Sequence, residues 1–213
     1  MHIADGILSL PVVAGGFAAS FTITWYCLKR IKDAGDPRER IPRAALLTAA
    51  FFVASLIHVP LPPASVHLVL NGLIGILLGA FAFPAILVGL FFQAVMFGHG
   101  GLSTLGVNSL ILGIPALLVG WLFHLNRRPD ESFPRTIGRG LLAGSGAVFG
   151  ATMLFIGALL VGFQIEHQQE ITATAIITIL AVAYLPLIVL EGVITALLVG
   201  FLQRVKPTIL QWK

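Results

Sequence analysis

The sequence predicts an all-α polytopic membrane protein, a bundle of seven transmembrane helices, on three observations. Of its 213 residues, 57% are hydrophobic and only 10% are charged, too little polar surface to cover a water-soluble globule of this size. Apolar stretches close to the roughly 20 residues that a bilayer requires recur along the whole chain. The basic residues, finally, fall into three clusters separated by even numbers of those stretches, as expected when Lys and Arg are retained in the cytoplasm.

The spans read as 8–28, 43–60, 66–82, 84–98, 104–125, 137–163 and 171–203. The first lacks a basic residue ahead of it, since nothing before Lys29 is positively charged, and its apolar run is long enough to cross; it reads as a retained helix and not as a cleaved signal peptide. The third and fourth are short and are parted only by a turn near Phe83 and Pro84, so six or seven spans are both open on hydropathy alone. Charge decides between them. Lys29, Arg30, Lys32, Arg38, Arg40 and Arg43 lie in the first loop, Arg127, Arg128, Arg135 and Arg139 in a second, and Arg204, Lys206 and Lys213 in the tail, which accounts for all 13 basic residues. With seven spans and the N-terminus outside, all three clusters face the cytoplasm; merging the third and fourth spans would expel two of them. The whole chain, 1–213, therefore reads as one integral membrane domain with a cytoplasmic C-terminus. Its net charge of +4 is a topology signal and not the footprint of a nucleic-acid partner.

Histidines sort the opposite way. His2, His58, His99 and His167 fall in outer segments and His67 at the outer end of the third span, while His124 lies near the inner side. An interfacial role is an equally good reading of His58, His124 and His167. The opening Met1-His2-Ile3-Ala4-Asp5-Gly6 is a stronger signal. A free terminal amine, the backbone nitrogen of His2 and its imidazole can close two fused chelate rings around one ion, placing three nitrogens in a plane. A fourth from His67 would complete a square-planar set, which suits Ni(II) or Cu(II), whereas Co(II) more readily takes other shapes. Because the backbone nitrogen must lose its proton, metal uptake should release protons and weaken as pH falls.

Two polar islands accompany that terminus. In Pro60 to Gly72, prolines break the chain before a helix begins, and His67 and Asn71, four apart, would share a helical face. In Gly98-His99-Gly100-Gly101-Leu102-Ser103-Thr104-Leu105-Gly106-Val107-Asn108, glycine-rich backbone lies at or near membrane depth, where irregular structure is tolerated only if protein buries it or a cavity is lined by it. Asn71 and Asn108 could orient imidazoles through their second ring nitrogen. Glu191 is the one carboxylate within a span, either functional or a buried helix-to-helix hydrogen bond. Asp5 reads most plainly as a cap of the first helix. Spacing-four small residues mark Ala14, Ala18 and Thr22 on the first span and Gly72, Gly75 and Gly79 recur on the third, as internal packing faces or a partner's docking face. Cys27, the single cysteine, excludes an internal disulfide.

These motifs together resemble the CbiM/NikM family, the substrate-binding membrane components of energy-coupling factor transporters for cobalt and nickel. The likeness is carried by Met1-His2-Ile3 with Asp5-Gly6, by Val66-His67-Leu68 with Asn71-Gly72, by the glycine-rich run 98–108, and by Leu190-Glu191-Gly192-Val193-Ile194-Thr195. It implies a bundle whose N-terminal segment inserts into the centre, with the ion held by Met1, His2 and His67, and with His99 fixing a loop or the access route. It also implies a prokaryotic cell membrane and a set of partners: a transmembrane coupling subunit, two cytoplasmic ATPases and often a small accessory membrane subunit. Ni2+ or Co2+ would be the transported substrate and no permanent cofactor is implied. Some members carry a Ser/Cys-rich stretch and Pro-Thr-Gly around the binding histidine, where this chain has Ala64-Ser65-Val66 and Leu68-Val69, so the choice between the two metals stays open. The chain has no Gly-x-x-x-x-Gly-Lys-Ser/Thr phosphate loop, so ATP hydrolysis must come from elsewhere. A stand-alone channel or carrier would call for several charged residues along a pore, and a membrane metalloenzyme for an open coordination position and a general base.

Overall fold

The computed structural model of the protein describes residues 2–61, 64–125, 127–128, 131–165 and 173–210. The described chain runs through α1 (Leu10–Asp33), α2 (Ile41–Ala54), β1 (His58–Leu61), β2 (Ala64–His67), α3 (Asn71–Leu78), α4 (Ala82–Phe97), α5 (Leu105–His124), α6 (Phe133–Ile165) and α7 (Ala173–Val205). The architecture is helical apart from one hairpin. Five stretches are long and apolar enough to cross a membrane, namely Leu10–Asp33, Asn71–Phe97, Leu105–His124, Phe133–Gly162 and Tyr184–Val205, and α2 is a shorter apolar helix.

The second and third expected spans depart from the sequence reading. Helix α2 stops at Ala54 and does not continue to residue 60. β1 and β2 then pair antiparallel, His58 opposite His67 and Leu61 opposite Ala64. Pro60 removes a helical hydrogen-bond donor from this segment and sets it to extended geometry. Helix α3 begins only at Asn71 and is 8 residues long, about 12 Å at the usual rise per residue. His67 consequently ends a strand, and it does not share a helical face with Asn71.

Although Asn71–Phe97 has the length of one span, its contacts with α5 show that the chain turns back inside it. A methyl added at Gly75 would meet Ala116 and one at Gly120 would meet Gly75, while the Asn71 amide reaches Leu112 O, so α3 runs parallel to α5. Phe83 at the start of α4 packs on Gly113 instead, and Leu87, Val88 and Phe91 lie level with Leu105, so α4 runs the other way. The reversal is made at Gly79, whose φ of 56° is a conformation that L side chains rarely adopt.

Helix α5 is the axis of the bundle. It meets α1 where Gly16 faces Val107, Gly106 faces Phe17, and the hydroxyls of Ser20 and Ser109 lie 2.8 Å apart. Leu112 and Ala116 are fully buried in the core that α3, α4 and α6 complete. On α3, Gly72 faces Ala143, Gly144 and Ala147 of α6, and Gly75 faces α5, so both of its glycines are internal contacts, while Gly79 lies just past its end. On α1 the packing face runs through Gly16 and Ser20, whereas Ala14, Ala18 and Thr22 are exposed; the expectation of an internal face there is corrected, because the two-residue offset turns that stripe outward.

The end of the bundle where α3 stops is basic. Arg43 donates to Leu77 O and Ile209 O, Arg127 to Leu210 O, and Arg139 to Phe123 O and Leu125 O. His124 Nε2 lies 2.9 Å from Ile76 O. These cations satisfy the last carbonyls of helices that end there.

A Gly75→Ala substitution should force the α3 and α5 backbones apart and destabilise the protein by about 1–3 kcal/mol, the usual cost of overpacking. Gly15→Ala, at a position with open space around it, should leave the melting temperature unchanged. Thermal unfolding in detergent checks both.

Candidate metal centre

Three imidazoles meet at the end of the bundle opposite the basic one. The rings of His2 and His67 have centroids 5.2 Å apart, those of His67 and His99 5.7 Å, and those of His2 and His99 5.9 Å. Each is delivered by a different element: His2 by the chain ahead of α1, His67 by the last residue of β2, and His99 by the turn after α4. That turn is a left-handed helix cap, with Gly98 N–H donating to Ala94 O and His99 N–H to Gln93 O while Gly98 adopts a left-handed conformation.

The segment carrying His2 is tied down by α5 and by the residues just before it. Asn108 grips both main-chain polar groups of one residue: Ile3 N–H donates to Asn108 Oδ1 at 2.9 Å, and Asn108 Nδ2 donates to Ile3 O at 3.0 Å. Thr104 Oγ1 donates to the same carbonyl at 2.6 Å. Ile3 itself is 2% exposed. Asp5 accepts from Ser103 N–H at 2.8 Å, from the Ser103 hydroxyl and from Leu102 N–H. Helix α1 starts five residues later with Ser9 at its N-cap, so the capping role expected for Asp5 is corrected: it binds the 102–103 loop, whose free amides it satisfies.

The glycine-rich run has a steric purpose at this point. A methyl on Gly101 would run into the Asp5 carboxylate, and one on Gly100 would lie 3.1 Å from Asn108 Nδ2 and 3.3 Å from His2 Cβ. Gly100 also holds φ at 77°. Only glycine lets the 2–5 backbone lie this close to the loop.

Of the residues singled out in the sequence, the structure brings His2, His67 and His99 together; Met1 lies outside the described residues. Asn71 and Asn108 take up backbone groups in place of imidazoles. The fully buried Asn71 amide donates to Leu112 O at 3.2 Å and Ala147 O at 3.5 Å, and Asn108 holds Ile3. Glu191, fully buried on α7, accepts hydrogen bonds from Val69 N–H and from Leu70 N–H just after His67. Leu70 is the one described non-glycine residue with positive φ, 52°, a conformation that costs about 1–2 kcal/mol in an L residue.

Gln93 and Thr104 belong to this site although neither stood out in the sequence. Gln93 is 1% exposed, and its side-chain amide faces the buried His2 ring. A glutamine in an apolar helix carries a faint sequence signal, the polar residue out of place, and Thr104 lies within the glycine-rich run. Burial above all, with the neighbouring imidazoles of His67 and His99 adding to it, holds the His2 ring well below the usual histidine range. It is therefore neutral, the form in which imidazole ligates. His67 Nδ1 lies 3.0 Å from Leu68 O; with Nδ1–H donating to that carbonyl, the ring's lone pair is on Nε2. Among the described residues, no group of three or more His, Cys, Asp or Glu side chains is arranged to hold an ion by side chains alone. The centre offers imidazole nitrogens beside main-chain nitrogens.

Comparison with known proteins finds relatives along nearly the whole chain. Residues 2–209 match the family model CbiM, described as the cobalt uptake substrate-specific transmembrane region. A cobalt transport protein CbiM of Sorangium cellulosum is 34% identical over 219 residues, covering 99% of this chain and 94% of that protein. One from Geobacter sulfurreducens is 29% identical and covers 99% of this chain and 61% of that protein. A crystal structure described as a transition metal transporter shares the fold, with TM-score 0.76 at 24% identity over 96% of this chain and 93% of that one.

Hydrogen bonds from Ser103 foremost hold the Asp5 carboxyl below its usual range. A depressed folded value means that the tether is intact above the ordinary carboxylate pKa and is lost as pH falls through the lowered one. Asp5→Asn should therefore flatten the acid limb of the melting temperature plotted against pH. Asn108→Ala, which strands the Ile3 N–H and leaves Ile3 O to Thr104 alone, should cost about 1–3 kcal/mol in the same measurement.

Proposed function

Because this chain belongs to the CbiM family, and is thus a multi-pass membrane protein of cobalt and metal transport, we propose that it is the substrate-binding subunit of an energy-coupling factor importer, capturing Ni2+ or Co2+ from outside the cell. The observation that carries the reading is the meeting of His2 and His67, 5.2 Å between ring centroids, on a main-chain segment clamped by Asn108. A clamp on the Ile3 peptide fixes the direction of the residue before it, so the backbone nitrogen and ring of His2 are held ready for an ion. In this reading the Met1 amine, the backbone and ring nitrogens of His2 and the ring of His67 form a square-planar set, and His99 and Gln93 flank it. Planar nitrogen coordination suits Ni(II).

The chain crosses the membrane with its N-terminal segment inserted among seven helices and facing outside. Support comes from the Arg43, Arg127 and Arg139 contacts at the opposite end, which the positive-inside rule assigns to the cytoplasm. Transport against a gradient then requires a transmembrane coupling subunit and two cytoplasmic ATPases, with a small accessory membrane subunit as a further partner. Metal flux through this chain alone in liposomes would instead make it a channel or carrier.

Titration of the purified protein with Ni(II) tests the binding reading. A chain starting at Met1 should bind tightly, and the same chain with a few residues added ahead of Met1 should lose that binding while its melting temperature stays the same. Undiminished affinity in the extended chain would remove the terminal amine from the ligand set. His67→Ala should abolish binding in both.

A further inference from the structure

Glu191 lies on a helix that carries no proposed metal ligand, yet it is joined to the backbone that carries His67. The contact spans 122 residues of sequence for Val69 and 121 for Leu70. One carboxylate oxygen takes the Val69 N–H, and both oxygens lie 3.0 Å from Leu70 N. No ion pair to Glu191 occurs among the described residues; its counter-charge is main-chain N–H and the positive end of α3, which begins at the next residue. A buried carboxylate so placed is costly unless its partners hold still.

Those N–H groups belong to the point where the chain changes from the extended arm ending at His67 to α3. The change is made by Leu70 in the left-handed region, φ 52° and ψ 15°, where a leucine does not rest by preference. Strain in a branched apolar residue and a buried charge coincide at one peptide, three residues from His67. Local strain of this kind persists only where its surroundings over-determine it, and here the carboxylate takes both consecutive N–H groups. The approach of the neighbouring helices is built for the same contact, since a methyl on Gly144 of α6 would lie 2.6 Å from Glu191 O.

We propose that Glu191 is a positioning residue of the metal site: by holding the left-handed turn at Leu70 it fixes the chain direction that aims His67 at His2. The inference rests on the metal-binding reading above. It assigns to α7 a role in ligand geometry, so that any displacement of α7 relative to the hairpin would turn the His67 ring away and loosen the ion.

Ni(II) titration of the full chain starting at Met1, with the visible absorption spectrum of the bound metal, tests this. Glu191→Ala should lower affinity about 10–100-fold, the range found when partners that orient ligands are removed, and should alter the spectrum. Glu191→Gln, which keeps one acceptor oxygen, should lose less, and it serves as the reading if the alanine variant does not fold. Glu191→Ala combined with Leu70→Gly should recover most of the lost affinity, because glycine adopts the turn without a clasp. Recovery is what a merely structural role for Glu191 would not produce. Unaltered affinity in both Glu191 variants would overturn the proposal, as would a loss that Leu70→Gly does not restore. If His67→Ala binds Ni(II) normally in the same titration, the metal-site reading itself fails and this inference fails with it.

Discussion

In hydrocarbon every main-chain N–H and C=O must find a partner within the protein, and the irregular stretches of this chain are arranged around that demand. Regular helices meet it internally. The chain from 58 to 70 meets it partly as a hairpin and, at its end, through the Glu191 carboxylate. The chain ahead of α1 meets it through Asn108 and Thr104, which take up both polar groups of Ile3. The same side chains that make non-helical backbone tolerable thereby fix where His2 and His67 point.

Small residues make those approaches geometrically feasible. Gly75 and Gly120 bring α3 and α5 into backbone contact, Gly72 and Gly144 bring α3 and α7 onto α6, and Gly100 and Gly101 admit the 2–5 segment to the loop beside α5. In a bilayer, where apolar side chains gain little by leaving lipid for one another, close backbone packing and interhelical hydrogen bonds carry much of the association. The Ser20 and Ser109 hydroxyls, 2.8 Å apart between α1 and α5, are one such bond. The bundle thus holds a rigid rear formed by α3, α5, α6 and α7, against which the hairpin and the N-terminal segment are fastened by polar side chains.

The proposed ligands come from a chain terminus and a strand end, with the imidazole of a helix-end turn beside them, and that division has a functional consequence. Each imidazole has its own anchor: His2 the Asn108 clamp, His67 the turn under Glu191, His99 the left-handed Gly98 cap that ends α4. Small relative shifts of these elements change the distances among the rings without unfolding any helix. Tight capture and later release of an ion are compatible with one bundle on that basis, because the donors are mobile relative to one another only when their anchors move.

Much of the protein is legible from composition and local pattern. Membrane residence and the helices at residues 10–33, 82–97, 105–124, 133–165 and 173–205 follow from hydropathy and charge placement, and polar residues stranded in apolar sequence single out residues 2, 67, 99, 108 and 191 as candidates. The breaks in the second and third spans were less so: prolines near 60 signalled an interruption, but hydropathy does not distinguish a full crossing from an extended arm joined to an 8-residue helix. Nor could spacing reveal that Asn71 and Asn108 serve backbone groups, that Asp5 binds Ser103, or that Gln93 faces His2. Those are contacts between residues far apart in sequence, and only the packing of α5 against both arms brings them together. The sequence by itself determined which residues cannot face lipid and which carry nitrogens able to ligate, since that is set by each side chain's own transfer energy and chemistry. The tertiary structure alone decided which of them meet, because the partner of a buried polar group is chosen by where the helices leave it room.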